Sequence, residues 1–284
     1  MSAMRQSFIG LTPTLWVTQS EAYATNSGVF ISEGQACLID PGLTPEEIHG
    51  IARFVRDMEA TPRALILTHG HWDHLLGVEH FPGVTVITHA RYAETLREHG
   101  AELQRQVAAW ESQSGTPQIR TFVVPQPTQT FAGTLTLPVG SQKLTLIEAP
   151  GHALDQIVVY HAATHTLWAA DMLSDLEIPF IDSLTAYEAT LERISKLEIA
   201  VLIPGHGYAT SDPAEIRGRL AEDRAYLTGL RQRVAQAVEE GKSVEETTAL
   251  CSDLPYRYPE ENAAPHRKNV EIAYLELGGK SSAA

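Results

Sequence analysis

His69, His71, Asp73 and His74 fall within six residues, in Thr68-His69-Gly70-His71-Trp72-Asp73-His74. Three imidazoles and a carboxylate at this spacing suit metal binding better than packing. Imidazole nitrogen and carboxylate oxygen are the donors that zinc and its neighbours accept. Two histidines two apart can face one ion. An aspartate and a histidine two and three residues further on, around a turn, can face a second. Three more ligand-type residues each end an apolar run beside small neighbours: His152 after Glu148-Ala149-Pro150-Gly151, Asp171 after Leu167-Trp168-Ala169-Ala170, and His206 in Pro204-Gly205-His206-Gly207. Small neighbours let the backbone turn sharply and leave room for an ion.

Two adjacent divalent ions lower the pKa of a shared water towards neutrality, giving a hydroxide nucleophile, and polarise a carbonyl or phosphoryl oxygen. No side-chain nucleophile is then needed. The chain has no Gly-x-Ser-x-Gly elbow and no paired Cys/His arrangement. Cys37 and Cys251 stand apart and read as idle thiols. Asp73 is the candidate catalytic residue, placed to bind an ion and hold the attacking water. His49, His80, His89, His99, His161, His165 and His266 lack ligand company and read as packing or solvent-facing side chains, with His89 nearest the site.

The ligands need strands that end side by side. Thr14 to Thr18, Gly28 to Ser32, Ala36 to Ile39, Ala64 to Leu67 and Val84 to Thr88 read as strands, being β-branched or apolar and bounded by turn residues. Ile119 to Val124, Gln129 to Leu135, Lys143 to Glu148, Gln156 to Tyr160, Thr166 to Ala170 and Ala200 to Ile203 continue the series. Pro45, Glu46 and Glu47 open a helix to about Met58, with an apolar stripe of Ile48, Ile51, Ala52 and Val55. Leu75 to His80 can begin another helix. Ala90 to Ser112 is helical and polar, a lid more than core. Tyr187 to Leu197 is also helical. After Pro213 only helices follow: Ala214 to Glu239, Val244 to Leu250 and Glu271 to Leu277.

These motifs, in this order, resemble the metallo-β-lactamase-fold hydrolases. The resemblance runs over roughly residues 14 to 210. It rests on Asp40 in Leu38-Ile39-Asp40-Pro41-Gly42, the H-x-H-x-D-H run, Gly151-His152, Asp171 and Pro204-Gly205-His206-Gly207. It implies an α/β fold, a four-layer αββα sandwich with metals at one edge between the sheets. Residues 1–212 would form the catalytic core, and 213–284 a helical extension packed on it. It assigns His69, His71 and His152 to one ion, Asp73, His74 and His206 to the other, and Asp171 to both. Asp40 would orient a ligand or the ligand loop. The implied cofactors are two divalent ions, zinc first, with iron or manganese as alternatives.

Asp171 stands where lactamases of this fold carry Cys or Ser, which turns the reading towards thioesterases, lactonases and phosphodiesterases. Lactonases of the group have a Tyr three residues after the bridging Asp, where this chain has Ser174. Glutathione thioesterases hold their substrate with C-terminal basic residues, for which Arg257, Arg267 and Lys268 are available. The tail from Leu254 to Lys280 is similar to that of the related endoribonucleases but lacks their winged helix. The expectation is a hydrolase of a small ester, thioester or lactone. The alternatives are a phosphodiesterase or endoribonuclease, a mononuclear iron sulfur dioxygenase, and a metal-binding scaffold without activity.

A formal net charge of −14 and the lack of any block of five or six Lys/Arg argue against a nucleic-acid surface. No basic stretch followed by a long apolar run opens the chain, and no segment reaches the ~18 apolar residues of a membrane helix. A cytoplasmic protein acting on a small molecule, without membrane contact, is expected. The substrate-binding residues are unknown from sequence. Met172 to Ile181 and Ala90 to Ser112 are expected to line the pocket, with Trp72 as part of a wall. Tyr187 and Tyr208 read as structural. Trp110 and Phe180 are placed to meet an acyl chain or the partner subunit of a homodimer.

Overall fold

The computed structural model describes residues 7–115 and 122–280. Its first sheet joins β1 (Ile9–Gly10), β2 (Leu15–Gln19), β3 (Asn26–Ser32), β4 (Gln35–Ile39), β5 (Thr61–Ile66), β6 (Thr85–His89) and β7 (Gln129–Phe131), in that order. The pairs from β1 to β4 are antiparallel, and those from β4 to β7 are parallel. The second sheet runs β12 (Val201–Ile203), β11 (Thr166–Trp168), β10 (Ile157–His161), β9 (Gln142–Glu148), β8 (Thr134–Val139). Only its β11–β12 pair is parallel.

Parallel neighbours need a crossover. Helix α1 (Pro45–Asp57) supplies one between β4 and β5, α2 (Tyr92–Ser114) between β6 and β7, and α3 (Leu184–Ile194) between β11 and β12. Helix α1 starts on a capping box of Thr44 and Glu47, with Pro45 at its first turn. The β5–β6 crossover is different, because it is the H-x-H-x-D-H segment itself. The helix expected to begin at Leu75 does not form. Two single turns, Trp72–His74 and Val78–His80, take its place. The segment is pressed onto the Asp40 loop so closely that a Cβ on Gly77 would lie 1.7 Å from the Pro41 carbonyl oxygen.

Strand alternation sorts side chains into layers. Along β3 and β4, Val29, Ile31, Ala36 and Leu38 face α1 and join Ile48, Ile51 and Val55, while Phe30, Cys37 and Ile39 face the second sheet. Along β10 to β12, Ile157, Val159, Trp168 and Ile203 meet them from the other side. Val158, Leu167 and Leu202 point outward to α3, α4 (Pro213–Glu239), α5 (Val244–Cys251) and α6 (Ala263–Glu276). The result is the four-layer αββα sandwich.

Three expectations change in detail. Gln129 to Leu135 is not one strand. Gly133, at φ 70°, turns the chain so that β7 ends the first sheet and β8 begins the edge of the second. Of Ile119 to Val124, residues 119–121 lie outside the described residues and 122–124 join no sheet. The last helix begins at Ala263, not Glu271. Among the described residues, no helix is long and apolar enough to cross a membrane.

Candidate metal centre

Every residue of the site follows the C-terminal end of a strand. Asp40 follows β4, His69 to His74 follow β5, His152 follows β9, Asp171 follows β11 and His206 follows β12. The fold gathers them into two groups, His69, His71, His152 and Asp171 in one, Asp73, His74 and His206 in the other. In the first, His71 Nδ1 lies 3.0 Å from both His69 Nε2 and His152 Nε2, and Asp171 Oδ2 lies 3.3 Å from His152 Nε2. In the second, Asp73 Oδ2 lies 3.1 Å from His206 Nε2 and 3.6 Å from His74 Nε2. Asp171 reaches both, with Oδ1 3.3 Å from His74 Nε2 and Oδ2 3.4 Å from His206 Nε2.

The far nitrogen of four of these rings is held. His69 Nδ1 meets Thr68 Oγ1 at 3.0 Å, His74 Nδ1 meets Asp40 Oδ2 at 3.0 Å, His152 Nδ1 meets the Phe180 carbonyl at 3.1 Å, and His206 Nδ1 meets the Tyr23 carbonyl at 2.9 Å. A carbonyl or carboxylate takes a proton from Nδ1, which leaves the Nε2 lone pair facing inward. Thr68 Oγ1 donates to Asp40 Oδ2 at 2.7 Å, so it too is an acceptor for its histidine. Asp40 also takes the Thr68 N–H at 2.9 Å and is fully enclosed. Its backbone is left-handed, at φ 45°.

Charge at the site is arranged for cations. Burial pulls His69, His71 and His152 below the usual imidazole range, His152 to about 4. Burial acts the same way on His74 and His206, but Asp171 and Asp73 outweigh it and hold both well above that range. Burial alone would raise the aspartates, yet His74 and His206 bring Asp73 down to about 2 and hold Asp171 well below the usual carboxylate range. Two buried atoms, His74 Nε2 and Asp171 Oδ1, have no hydrogen-bond partner in the protein. Such orphans at the middle of a nitrogen and carboxylate cluster fit a divalent ion.

Residues outside the sequence motifs build the frame. Asp155 Oδ1 accepts from Thr95 of α2 at 3.0 Å, and the same carboxylate lies against Gly70 of the motif segment, whose backbone lowers its pKa. Gln156 Oε1 accepts the Asp171 N–H at 3.3 Å, while Gln156 Nε2 donates to the Ala149 carbonyl. Asn26 donates to the carbonyls of Pro204 and Gly207 around His206. A Cβ on Gly205 would sit 2.0 Å from Asp171 Oδ1, so glycine is required there. Tyr23 and Ala24 are consecutive left-handed residues, at φ 57° and 48°, and Gly207 N donates to the Ala24 carbonyl. Asp155 and Gln156 follow His152 closely, which is the one sequence signal that could have marked them.

A cavity of about 510 Å³ opens over the cluster. Its walls include His71, Asp73, His152, Asp171 and His206, together with Tyr23, Trp72, Phe180 and Ile181. Helix α2 contributes Thr95, His99, Glu102 and Gln106, so His99 faces the site and not merely solvent. Both expected lining segments are therefore present. Trp110 packs on Trp72 and Tyr23 with ring centroids 5.6 and 5.8 Å apart, behind this wall. Glu177 also lines the cavity, and burial, helped by Asp171 and Asp73 against His206, pushes it up to about 7. A larger groove of about 850 Å³, lined by Val78, Phe81, Pro82 and Val123 among others, includes none of the clustered residues.

Several other candidates sit elsewhere. Arg257 is not a substrate cation, because it is tied to Asp223 at 2.7 Å and to the Ser174 and Glu177 carbonyls. Lys268 pairs with Glu271 on the surface. His89 is enclosed beside Glu148. Tyr187 is fully buried and Tyr208 is exposed outside the cavity walls.

Comparison with known proteins agrees with this geometry. Residues 21–206 match the family model of the metallo-beta-lactamase superfamily. A beta-lactamase-like protein 2 homolog of Drosophila melanogaster is 22% identical over 280 residues, covering 96% of this chain and 87% of that protein. A thioesterase of Emericella nidulans is 24% identical over 208 residues, 71% of this chain and 50% of its own length. In structure, the inverting sec-alkylsulfatase of a Pseudomonas species superposes with a TM-score of 0.77 at 17% identity, over 96% of this chain and 50% of the sulfatase. The chain thus spans only half the length of the last two. With more than half of its residues matched and both sheets in place, the chain belongs to the metallo-beta-lactamase superfamily and is a metal-dependent hydrolase.

Proposed function

We propose that the seven clustered side chains hold two divalent ions, zinc first, and that the protein hydrolyses a small ester, thioester or lactone. The observation that carries this is the outward tethering of four histidines together with the orphaned Asp171 Oδ1 and His74 Nε2. His69, His71 and His152 would hold one ion, Asp73, His74 and His206 the other, and Asp171 both. Bound there, the ions would supply Lewis acidity and a water activated near neutral pH.

The chain's own residues supply the rest. Asp40 fixes the ligand loop and the His74 ring from behind. Asp73, ionised and at the cavity floor, would accept a proton from the attacking water and pass that proton on to the leaving group. A volume of about 510 Å³ suits a small organic substrate. Tyr23, Trp72, Phe180 and Ile181 exclude water from its apolar part. The thioesterase among the similar proteins supports an acyl substrate. The acidic balance of the chain supports a small-molecule partner over a nucleic acid.

Metal analysis and a substrate panel test the reading. Two zinc ions per chain and turnover of chromogenic esters, thioesters or lactones are expected. Asp73→Ala should lower turnover by roughly 10²- to 10⁴-fold with the fold intact. Near-normal activity in a metal-replete Asp73→Ala protein would sink the role given to Asp73. Turnover of phosphodiesters alone would point to the nuclease-like alternative. One iron per chain with dioxygen uptake would point to the dioxygenase, and a lack of bound metal to a scaffold.

A further inference from the structure

The charge of the cavity walls narrows the substrate class. Apart from the candidate ligands, the charged walls are Glu102, Glu177 and Asp182. Among the described residues, the only other titratable base in these walls is His99, and no Lys or Arg lines the cavity. Arg105 lies one turn along α2 from Glu102 and pairs with it, Nε to Oε2 at 3.0 Å, so it neutralises that carboxylate without entering the walls. Glu177 and Asp182 have no such cation beside them among the described ion pairs. The two ions, if bound, meet two ligand carboxylates and the enclosed Asp40, so they leave little positive charge for a second anion.

The remaining walls are aromatic. Tyr23 stands edge-on to Trp72 with centroids 5.9 Å apart, and Phe180 lies beside His152 across the cavity. Aromatic faces near carboxylates attract organic cations and tolerate uncharged groups. They give an extra sulfate or phosphate nothing to pair with, and an unpaired anion beside like charge is repelled.

We infer that this cavity selects esters or thioesters whose non-reacting part carries an ammonium group, accepts uncharged ones less well and rejects anionic ones, with Glu177 and Asp182 setting the preference. The inference rests on the hydrolase reading above and sets the chain apart from its sulfatase neighbour, whose substrate is an anion.

The test compares three substrates on the zinc-loaded protein at about pH 8: an acylcholine, an alkyl ester of the same acyl chain, and an alkyl sulfate. The expected order of kcat/KM is the order just named. Glu177→Gln and Asp182→Asn should each shrink the cation-to-neutral ratio by about two- to fivefold, the scale of a partly exposed charge pair. Equal turnover of the two esters, a preference for the sulfate, or an unchanged ratio in both variants would overturn the inference and leave the hydrolase reading standing. If nothing is turned over, the hydrolase reading fails, and binding decides the inference. Tetraethylammonium quenching of tryptophan fluorescence, weakened in Glu177→Gln, supports it. No quenching, or tighter binding of ethyl sulfate, overturns it. Far-ultraviolet circular dichroism and zinc content show that each variant is folded and loaded.

Discussion

Asp155 is a buried carboxylate outside the seven clustered side chains that packs against the segment carrying them. It is enclosed beside Gly70 of the motif segment and accepts a hydrogen bond from Thr95. Burial raises its pKa from the usual 3.8 to about 6, although Thr95 and Gly70 pull it down. The fold therefore binds this proton more tightly than the unfolded chain does. Its stabilising contribution is full below 3.8, falls as pH rises towards about 6, and is level above that. The change amounts to about 3 kcal/mol at most. In metal-free protein, the unfolding free energy of Asp155→Asn minus that of wild type should rise by that order across the window. A flat difference in urea titrations would contradict it. At this scale the seven clustered side chains and Asp40 were legible, because each announces itself by type beside a turn. Asp155, Gln156, Asn26 and Thr68 were not, because they act on backbone groups or ring orientations that only the folded chain brings to them.

The loop between β11 and α3 is the element on which the cavity depends most, and it has no regular structure of its own. Side chains from the C-terminal helices satisfy its backbone instead. Arg219 donates to the Leu173 carbonyl, and Asn262 accepts the Ile178 N–H and donates to the Leu176 carbonyl. Asn269 accepts the Ile181 N–H at 3.0 Å and donates to the Pro179 carbonyl at 2.6 Å. Glu276 accepts the N–H groups of Leu184 and Thr185. Asn269→Ala would strand two buried backbone groups, each costing about 1–3 kcal/mol. The expected result is a protein less stable by a few kcal/mol, with KM raised more than kcat is lowered, since this stretch bears Phe180 and Ile181 on the cavity. An unchanged KM in a folded variant would argue against this. Element order was largely readable from periodicity. The split of β7 from β8 was not, because an apolar run does not reveal that Gly133 sends it from one sheet to the other. The single turns after His71 were equally hidden, since the close approach of Gly77 to the Pro41 carbonyl is not local in sequence.

At the scale of the molecule, the outer face of the second sheet and helices α3 to α6 share one apolar core, with Leu230, Val234, Val270 and Ala273 packed among Leu167, Leu184 and Leu202. A chain cut after residue 212 would leave that face open to water. Exposed apolar area of this extent promotes association. The fragment is expected to aggregate or to unfold without a cooperative transition, whereas a well-behaved, cooperatively melting 1–212 fragment would show the helices to be dispensable. The sandwich was legible through the family resemblance that the order of the motifs carries. The structural debt of its active-site loop to residues 219–276 was not, because Asn and Arg on a polar helix read as solvated surface.

The left-handed pair Tyr23-Ala24 has a practical consequence. His206 is gripped by the carbonyl of Tyr23, while the side chain of the same residue forms part of the cavity mouth. Grip and mouth are thus chemically independent at one position. Replacing Tyr23 by Asn or Gly keeps the carbonyl, eases a backbone conformation that tyrosine adopts reluctantly, and enlarges the entrance. Position 23 is therefore a natural starting point for retargeting the enzyme in directed evolution without disturbing the clustered histidines and aspartates beneath it.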